Sequence, residues 1–134
     1  MERWLGRFSE IAYALLRVVA GLMFALHGTQ KLFGFPAGKG GASLPSLMGI
    51  AGIIEMVGGV MIALGLLAGF AAFVASGEMA AAYFKVHAPN GLWPLLNQGE
   101  MAALYCFLFL YIATRGSGRY SIDALLRRSP RPAL

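Results

Sequence analysis

The chain has 134 residues, of which 58% are hydrophobic and only 13% charged, about half the charged share of an ordinary soluble domain. A globule of this size has too little interior to hide so much apolar surface and too few charges to cover the rest, and a mean hydropathy of +0.67 excludes a disordered chain. The net charge of +5 does not point to nucleic acid: five of the eleven basic residues (Arg115, Arg119, Arg127, Arg128, Arg131) stand in the last twenty positions, and no aromatic-interleaved basic groove accompanies them.

Four stretches, 9–33, 46–66, 68–86 and 98–115, read as apolar helices able to cross about 30 Å of hydrocarbon at 1.5 Å per residue. An amphipathic lead-in (Arg3, Trp4, Arg7, Phe8) opens the first. It has the look of a secretion signal, but no small-residue cleavage site closes it and it runs on into His27-Gly-Thr-Gln-Lys31, so it is expected to be retained. The glycine- and proline-rich segment from Gly34 to Pro45 breaks that helix. Little more than Gly65-Leu-Leu-Ala-Gly69 separates the second and third stretches, which predicts a tight helical hairpin. A last loop carries Pro89, Pro94 and an interfacial Trp93, and the chain leaves the fourth stretch through Arg115-Gly-Ser-Gly-Arg119-Tyr-Ser-Ile-Asp123.

Four spans bring both termini to one side. That side holds seven Lys and Arg (Arg3, Arg7 and the five of the tail) against three on the other (Lys31, Lys39, Lys85), so the positive-inside rule places both termini in the cytoplasm. The expected fold is all-α: one membrane domain over residues 1–134, a four-transmembrane-helix antiparallel bundle in the lipid bilayer with a basic cytoplasmic tail at 116–134. Cys106, alone in an apolar run, reads as a small buried hydrophobe.

Inside or beside these spans stand Arg17, His27, Gln30, Lys31, Glu55, Glu78 and Glu100. A charge at mid-bilayer costs roughly 2.5–3.5 kcal/mol on insertion scales, so these groups need partners within the bundle. Glu55 shares a helix face with Gly52 and Gly59, and Glu78 with Ala71, Ala75 and Ala82, small residues that let backbones approach closely. Counted from the span ends, Arg17, Glu55 and Glu78 form a middle layer in which two carboxylates share one arginine, so that one glutamate is expected to carry a proton. His27, Gln30, Lys31, Lys85, His87 and Glu100 fall toward the outer leaflet, where His27 and Lys31 with Glu100 opposite outline the floor of a pocket. Each group has a plainer reading beside this one: the middle layer only fixes which helix packs on which, and the lysines only snorkel to the headgroups.

The Glu-x-x-His pairs of a di-iron bundle are missing and the carboxylates and histidines sit at different depths, so no metal site is assigned. Nor is there a Cys-x-x-Cys, a P-loop or a dinucleotide-binding glycine motif. Any redox role would therefore need an electron-transferring partner.

The run Leu16-Arg17-Val-Val-Ala-Gly21-Leu-Met-Phe-Ala-Leu-His27-Gly28-Thr-Gln30-Lys31-Leu-Phe-Gly34 resembles the opening of the DoxX family of small four-helix bacterial inner-membrane proteins. Glu55 with Gly58-Gly59 and Gly65-Leu, then Gln98-Gly-Glu100 with Leu104-Tyr105, and finally Gly116-Ser-Gly118-Arg119-Tyr-Ser-Ile-Asp123 extend the likeness over about residues 9–126. The resemblance implies Arg17, His27, Gln30, Lys31, Glu55 and Glu100 as positions of interest; Glu78 is added by the charge argument alone. It also implies a link to quinone, thiol and oxidative-stress systems. The expectation is an inner-membrane subunit or accessory of an oxidoreductase that binds a small hydrophobic molecule, a quinone first, in its polar interior. The alternative is a non-catalytic scaffold or small-solute carrier whose buried charges only organise the bundle. A homodimer is compatible with the remaining Gly- and Ala-rich faces.

Overall fold

The computed structural model describes residues 1–128; Arg131, counted above with the tail, lies outside them. The helices are α1 (Glu2–Leu5), α2 (Ser9–Phe33), α3 (Leu47–Leu64), α4 (Ala68–Ala82), α5 (Glu100–Arg115) and α6 (Ile122–Arg128), with no strand among the described residues. Each of the four apolar stretches holds one long helix. α2 with its lead-in and α3 are long and apolar enough to cross a membrane. α4 and α5, of 15 and 16 residues, rise only about 23 Å as α-helix. The last turn of α4 continues as a wider π turn over Tyr83–His87.

Local chemistry sets the helix ends. Gly34 and Gly65 adopt the left-handed conformation just past α2 and α3, returning their N–H groups to carbonyls of the last turn. Ser46 caps α3 by accepting from the Gly49 N–H at 3.0 Å. The outward faces are apolar: Leu15, Val19 and Leu22 on α2, Ile53, Val57 and Val60 on α3, Phe70 and Phe73 on α4, and Leu104 and Phe107 on α5 are all exposed. Monomeric soluble proteins rarely show such a continuous apolar surface; hydrocarbon suits it.

Inside, α2 and α3 meet on glycine. A Cβ on Gly21 would lie 2.6 Å from the Gly59 carbonyl oxygen, one on Gly28 2.4 Å from the Met56 nitrogen, and one on Gly59 2.5 Å from the Ala25 nitrogen. α4 presents alanine (Ala68, Ala71, Ala72, Ala75) to the same interior, and Phe24, Tyr105, Phe109 and Ile62 fill the remaining core. Gly28→Ala is expected to force α2 and α3 apart and cost about 1–3 kcal/mol. Gly77→Ala, with nothing within 4 Å of the added methyl, is expected to be neutral or slightly stabilising. Thermal unfolding of both variants in detergent checks the pair.

The segment after α5 folds back beneath the α3–α4 turn. Tyr13 Oη donates to the Gly116 carbonyl at 2.5 Å, Arg115 pairs with Glu10, and its guanidinium lies 4.0 Å over the Tyr13 ring. The start of α2 and the segment that follows α5 therefore sit at one end of the bundle. Asp123 closes this clamp: its Oδ2 accepts from Ser117 Oγ and from the Leu67 N–H at 2.9 Å, while its own N–H donates to the Gly65 carbonyl at 3.1 Å. The hydrogen bond from Ser117, then that from the Leu67 N–H, with the charges of Arg127 and Arg17, holds the Asp123 carboxyl below its usual range. A carboxyl depressed in the folded state stabilises above its unfolded pKa, near 3.9, and loses that contribution as pH falls through the folded value. Stability is thus expected to gain nothing from Asp123 on raising pH from 5 to 7 and to fall as pH drops below about 4, with Asp123→Asn losing that part of the acid dependence; thermal melts of the two proteins across this range check it.

Candidate functional site

The end of the bundle opposite the clamp holds a cavity of about 160 Å³. Residues from α2, α3, α4 with its π turn, and α5 line it: Phe24, His27, Lys31, Glu55, Met79, Ala82, His87, Met101, Ala102 and Tyr105. Ligand sites for drug-sized molecules run to about 300–1,000 Å³; this one suits a group the size of a single small ring system.

Its polar groups come from separate elements. Lys31, in the last two turns of α2, donates to Glu55 Oε1 on α3 at 2.6 Å. Both glycine contacts bring this pair together, because the close approach of Gly28 to Gly52 and Met56 fixes the antiparallel register. The loop after α2 keeps the helix end in place: Gln30 Nε2 donates to the Ala37 carbonyl, and Gly41 N–H and Ala42 N–H donate to the Leu32 and Lys31 carbonyls. His87 reaches the cavity from the π turn, its Nδ1 3.1 Å from the Asn97 carbonyl oxygen. His27 stands edge-on to Tyr105, ring centroids 6.3 Å apart.

Four buried side-chain polar atoms lack a hydrogen-bond partner among the described residues: Arg17 Nε, Glu55 Oε2, Glu78 Oε2 and Tyr105 Oη. Leaving such an atom unpaired costs on the order of 1–3 kcal/mol. Two of the four, on Glu55 and Tyr105, belong to residues lining the one cavity. Glu78 does not line it, but stands close enough on α4 for the charges of Glu55 and Lys31 to act on it.

The expected middle layer is not there. Arg17 is buried at the clamp end, where Nη1 donates to the Ile62 and Ala63 carbonyls at 2.7 and 3.0 Å and Nη2 to the Tyr120 carbonyl at 2.6 Å. The Ile62 and Ala63 carbonyls lie seven and eight residues along α3 from Glu55, about 11 Å. Glu55 takes its cation from Lys31 instead. Arg17 is thus a cap on the negative end of α3, and Lys31, for which a pocket residue and a snorkelling cation are the two readings, is ion-paired with Glu55. Glu100 also departs from expectation: it is exposed in the first turn of α5 and lines a separate shallow groove with Pro94, Leu104 and Phe107, not the floor opposite His27 and Lys31. Gln30 points to the loop and Lys85 is exposed. Tyr105 was not singled out as a site residue; the available signal was a phenol deep in an apolar helix, away from the interfacial belt where tyrosines gather. Among the described residues no group of three or more His, Cys, Asp or Glu is placed to hold a metal ion.

A family model described as DoxX matches residues 12–88. An uncharacterized protein of Haemophilus influenzae (strain ATCC 51907 / DSM 11121 / KW20 / Rd) is 42% identical over 126 residues, covering 89% of this chain and 93% of its own length. A protein of Bacillus subtilis (strain 168) named "Putative oxidoreductase CatD" is 28% identical over 118 residues, covering 85% of this chain and 86% of its own. No solved structure matches the chain at a significant level.

Proposed function

The chain belongs to the DoxX family of membrane proteins, and from that premise we propose that it binds the head group of a quinone in the cavity between Lys31, Glu55 and Tyr105, as a small accessory subunit of a membrane oxidoreductase. The observation that carries this reading is the pair of unpartnered buried polar atoms on residues lining one small cavity, Glu55 Oε2 and Tyr105 Oη. The name of the Bacillus subtilis relative agrees with a redox setting.

The residues fit such a head group. Tyr105 Oη, Lys31 Nζ and the imidazole N–H of His27 are donors for carbonyl oxygens, and Phe24, Met79 and Met101 supply apolar walls for a flat ring. A bound quinone supplies two-electron, two-proton chemistry, the electrons coming from a partner protein because this chain has no redox motif of its own. The chain's own task is with the protons: Glu55 Oε2, unpartnered at the cavity wall, is the carboxylate oxygen placed to accept one from the bound head group.

In this reading α2 to α5 all span the bacterial inner membrane, with both termini and the arginine-rich clamp in the cytoplasm by the positive-inside rule. The cavity then faces the outer leaflet. Solvent extraction of the purified protein is expected to yield isoprenoid quinone near one equivalent per chain, and Tyr105→Phe, which removes one donor and little volume, is expected to raise the Kd for added quinone about tenfold. Quinone-free wild-type protein that also fails to take up added quinone favours the scaffold alternative.

A further inference from the structure

The four long helices pack in sequence, α2 on α3, α3 on α4 and α4 on α5. The remaining seam, between α5 and α2, is closed largely by aromatic side chains: Phe24 against Tyr105 and Phe109, with ring centroids at 5.7 and 4.6 Å. On the outer side of these rings the seam opens as an apolar groove of about 190 Å³, walled by Leu16, Val19 and Met23 of α2 and by Leu104 and Leu108 of α5. From Leu16 to Met23 it runs about 10 Å along α2. Two residues, Met101 and Tyr105, line both this groove and the polar cavity. Tyr105 is 5% exposed and its hydroxyl has no partner.

A polar cavity too small for a whole lipid-soluble molecule thus adjoins an apolar groove that opens to the hydrocarbon, with a single buried phenol between them. Neither alone accounts for the pair. A small water-soluble ligand would have no use for the groove, and a bulk lipid chain would have none for the unpartnered carboxylate and phenol.

We propose that the ligand of this cavity is an amphiphile with a flat hydrogen-bonding head and a single apolar chain, which enters sideways from the bilayer and lays its chain along the α2/α5 groove, with Tyr105 dividing head from chain. The proposal rests on the cavity being a ligand site, and adds the seat of the ligand's apolar chain and its path of entry. The chain's methylenes gain little over lipid in free energy, so the groove acts on position, holding the head in register with Lys31 and Glu55.

The test uses the full chain in detergent micelles with two probes: menadione, a head without a chain, and a naphthoquinone bearing a decyl chain that ends in a photoreactive diazirine. Menadione is expected to bind wild type saturably. Irradiation with the chain-bearing probe is expected to label peptides containing Leu16 to Met23 and Leu104 to Leu108 several-fold over the outer faces of α3 and α4, and excess menadione is expected to remove that labelling. Val19→Trp with Leu104→Trp, at positions 54% and 65% exposed and so tolerant of bulk, is expected to abolish labelling of the groove. Saturable menadione binding with decyl labelling spread evenly over all outer faces overturns the placement of the chain and leaves the cavity reading standing. Failure of menadione to bind wild type overturns both.

Discussion

Replacing Arg17 by leucine is expected to be the most damaging single change in the bundle, and to damage the fold, not the ligand site. The guanidinium satisfies the carbonyls of Ile62, Ala63 and Tyr120 from a position 1% exposed. Hydrogen bonds to charged groups contribute about 1.5–3 kcal/mol each and are not additive, so the loss is expected to reach about 4 kcal/mol, the scale reserved for broken buried networks. Two elements come loose together, because the same side chain holds the end of α3 and the segment that leads into α6. Arg17→Lys is expected to recover less than half of the loss, since a point charge on a shorter reach cannot present two nitrogens to three carbonyls on different elements. Thermal unfolding in detergent, with proteolysis between Arg115 and Asp123 as a local readout, checks both variants. If Arg17→Leu melts with wild type, the clamp has been misread.

Lys31→Met is expected to leave the Glu55 carboxylate, 3% exposed, without its cation. Breaking such a pair costs about 3–5 kcal/mol when fully buried; with the lysine side chain 29% exposed the low end is expected. Glu55→Gln in the same background removes the stranded charge, and the double variant is expected to regain most of the lost stability. Ligand binding is expected to stay absent in the double variant, as both groups that address the head are gone. A double-mutant cycle in thermal stability, set beside a binding curve for each protein, separates the structural use of the pair from its use in the site. If stability and binding recover together, the pair serves only to join α2 to α3.

The hydropathy pattern and the helix breakers were enough to predict where the long helices lie, because Gly34, Gly65 and the Pro89–Pro94 loop interrupt apolar runs at positions where a helix must stop. Glycine faces were legible too: Gly52 and Gly59 share a face with Glu55 and all three are buried. Which charges meet was not legible. Depth counted from the end of each span assumes that spans begin at the same level, but α2 is 25 residues long and its first turns belong to the clamp. That offset moves Arg17 down to the end of α3 and brings Lys31 level with Glu55. Direction around the helix axis at a span's end was equally hidden. Glu100 is exposed at the start of α5, while His87, at the end of the π turn that follows Ala82, reaches the cavity. Tyr105 escaped notice because a tyrosine in an apolar helix carries no charge to demand a partner, and only the packing of Phe24 and Phe109 around it shows that its hydroxyl has none.

In the proposed function the polar cavity at the end opposite the clamp binds a ligand head group through Lys31 and Glu55. Equilibrium titration of menadione into the wild-type protein and into the folded Lys31→Met/Glu55→Gln variant tests it most directly. Saturable binding at one site per chain is expected in the first and none in the second; equal binding in both, or none in wild type, would contradict this role of the cavity.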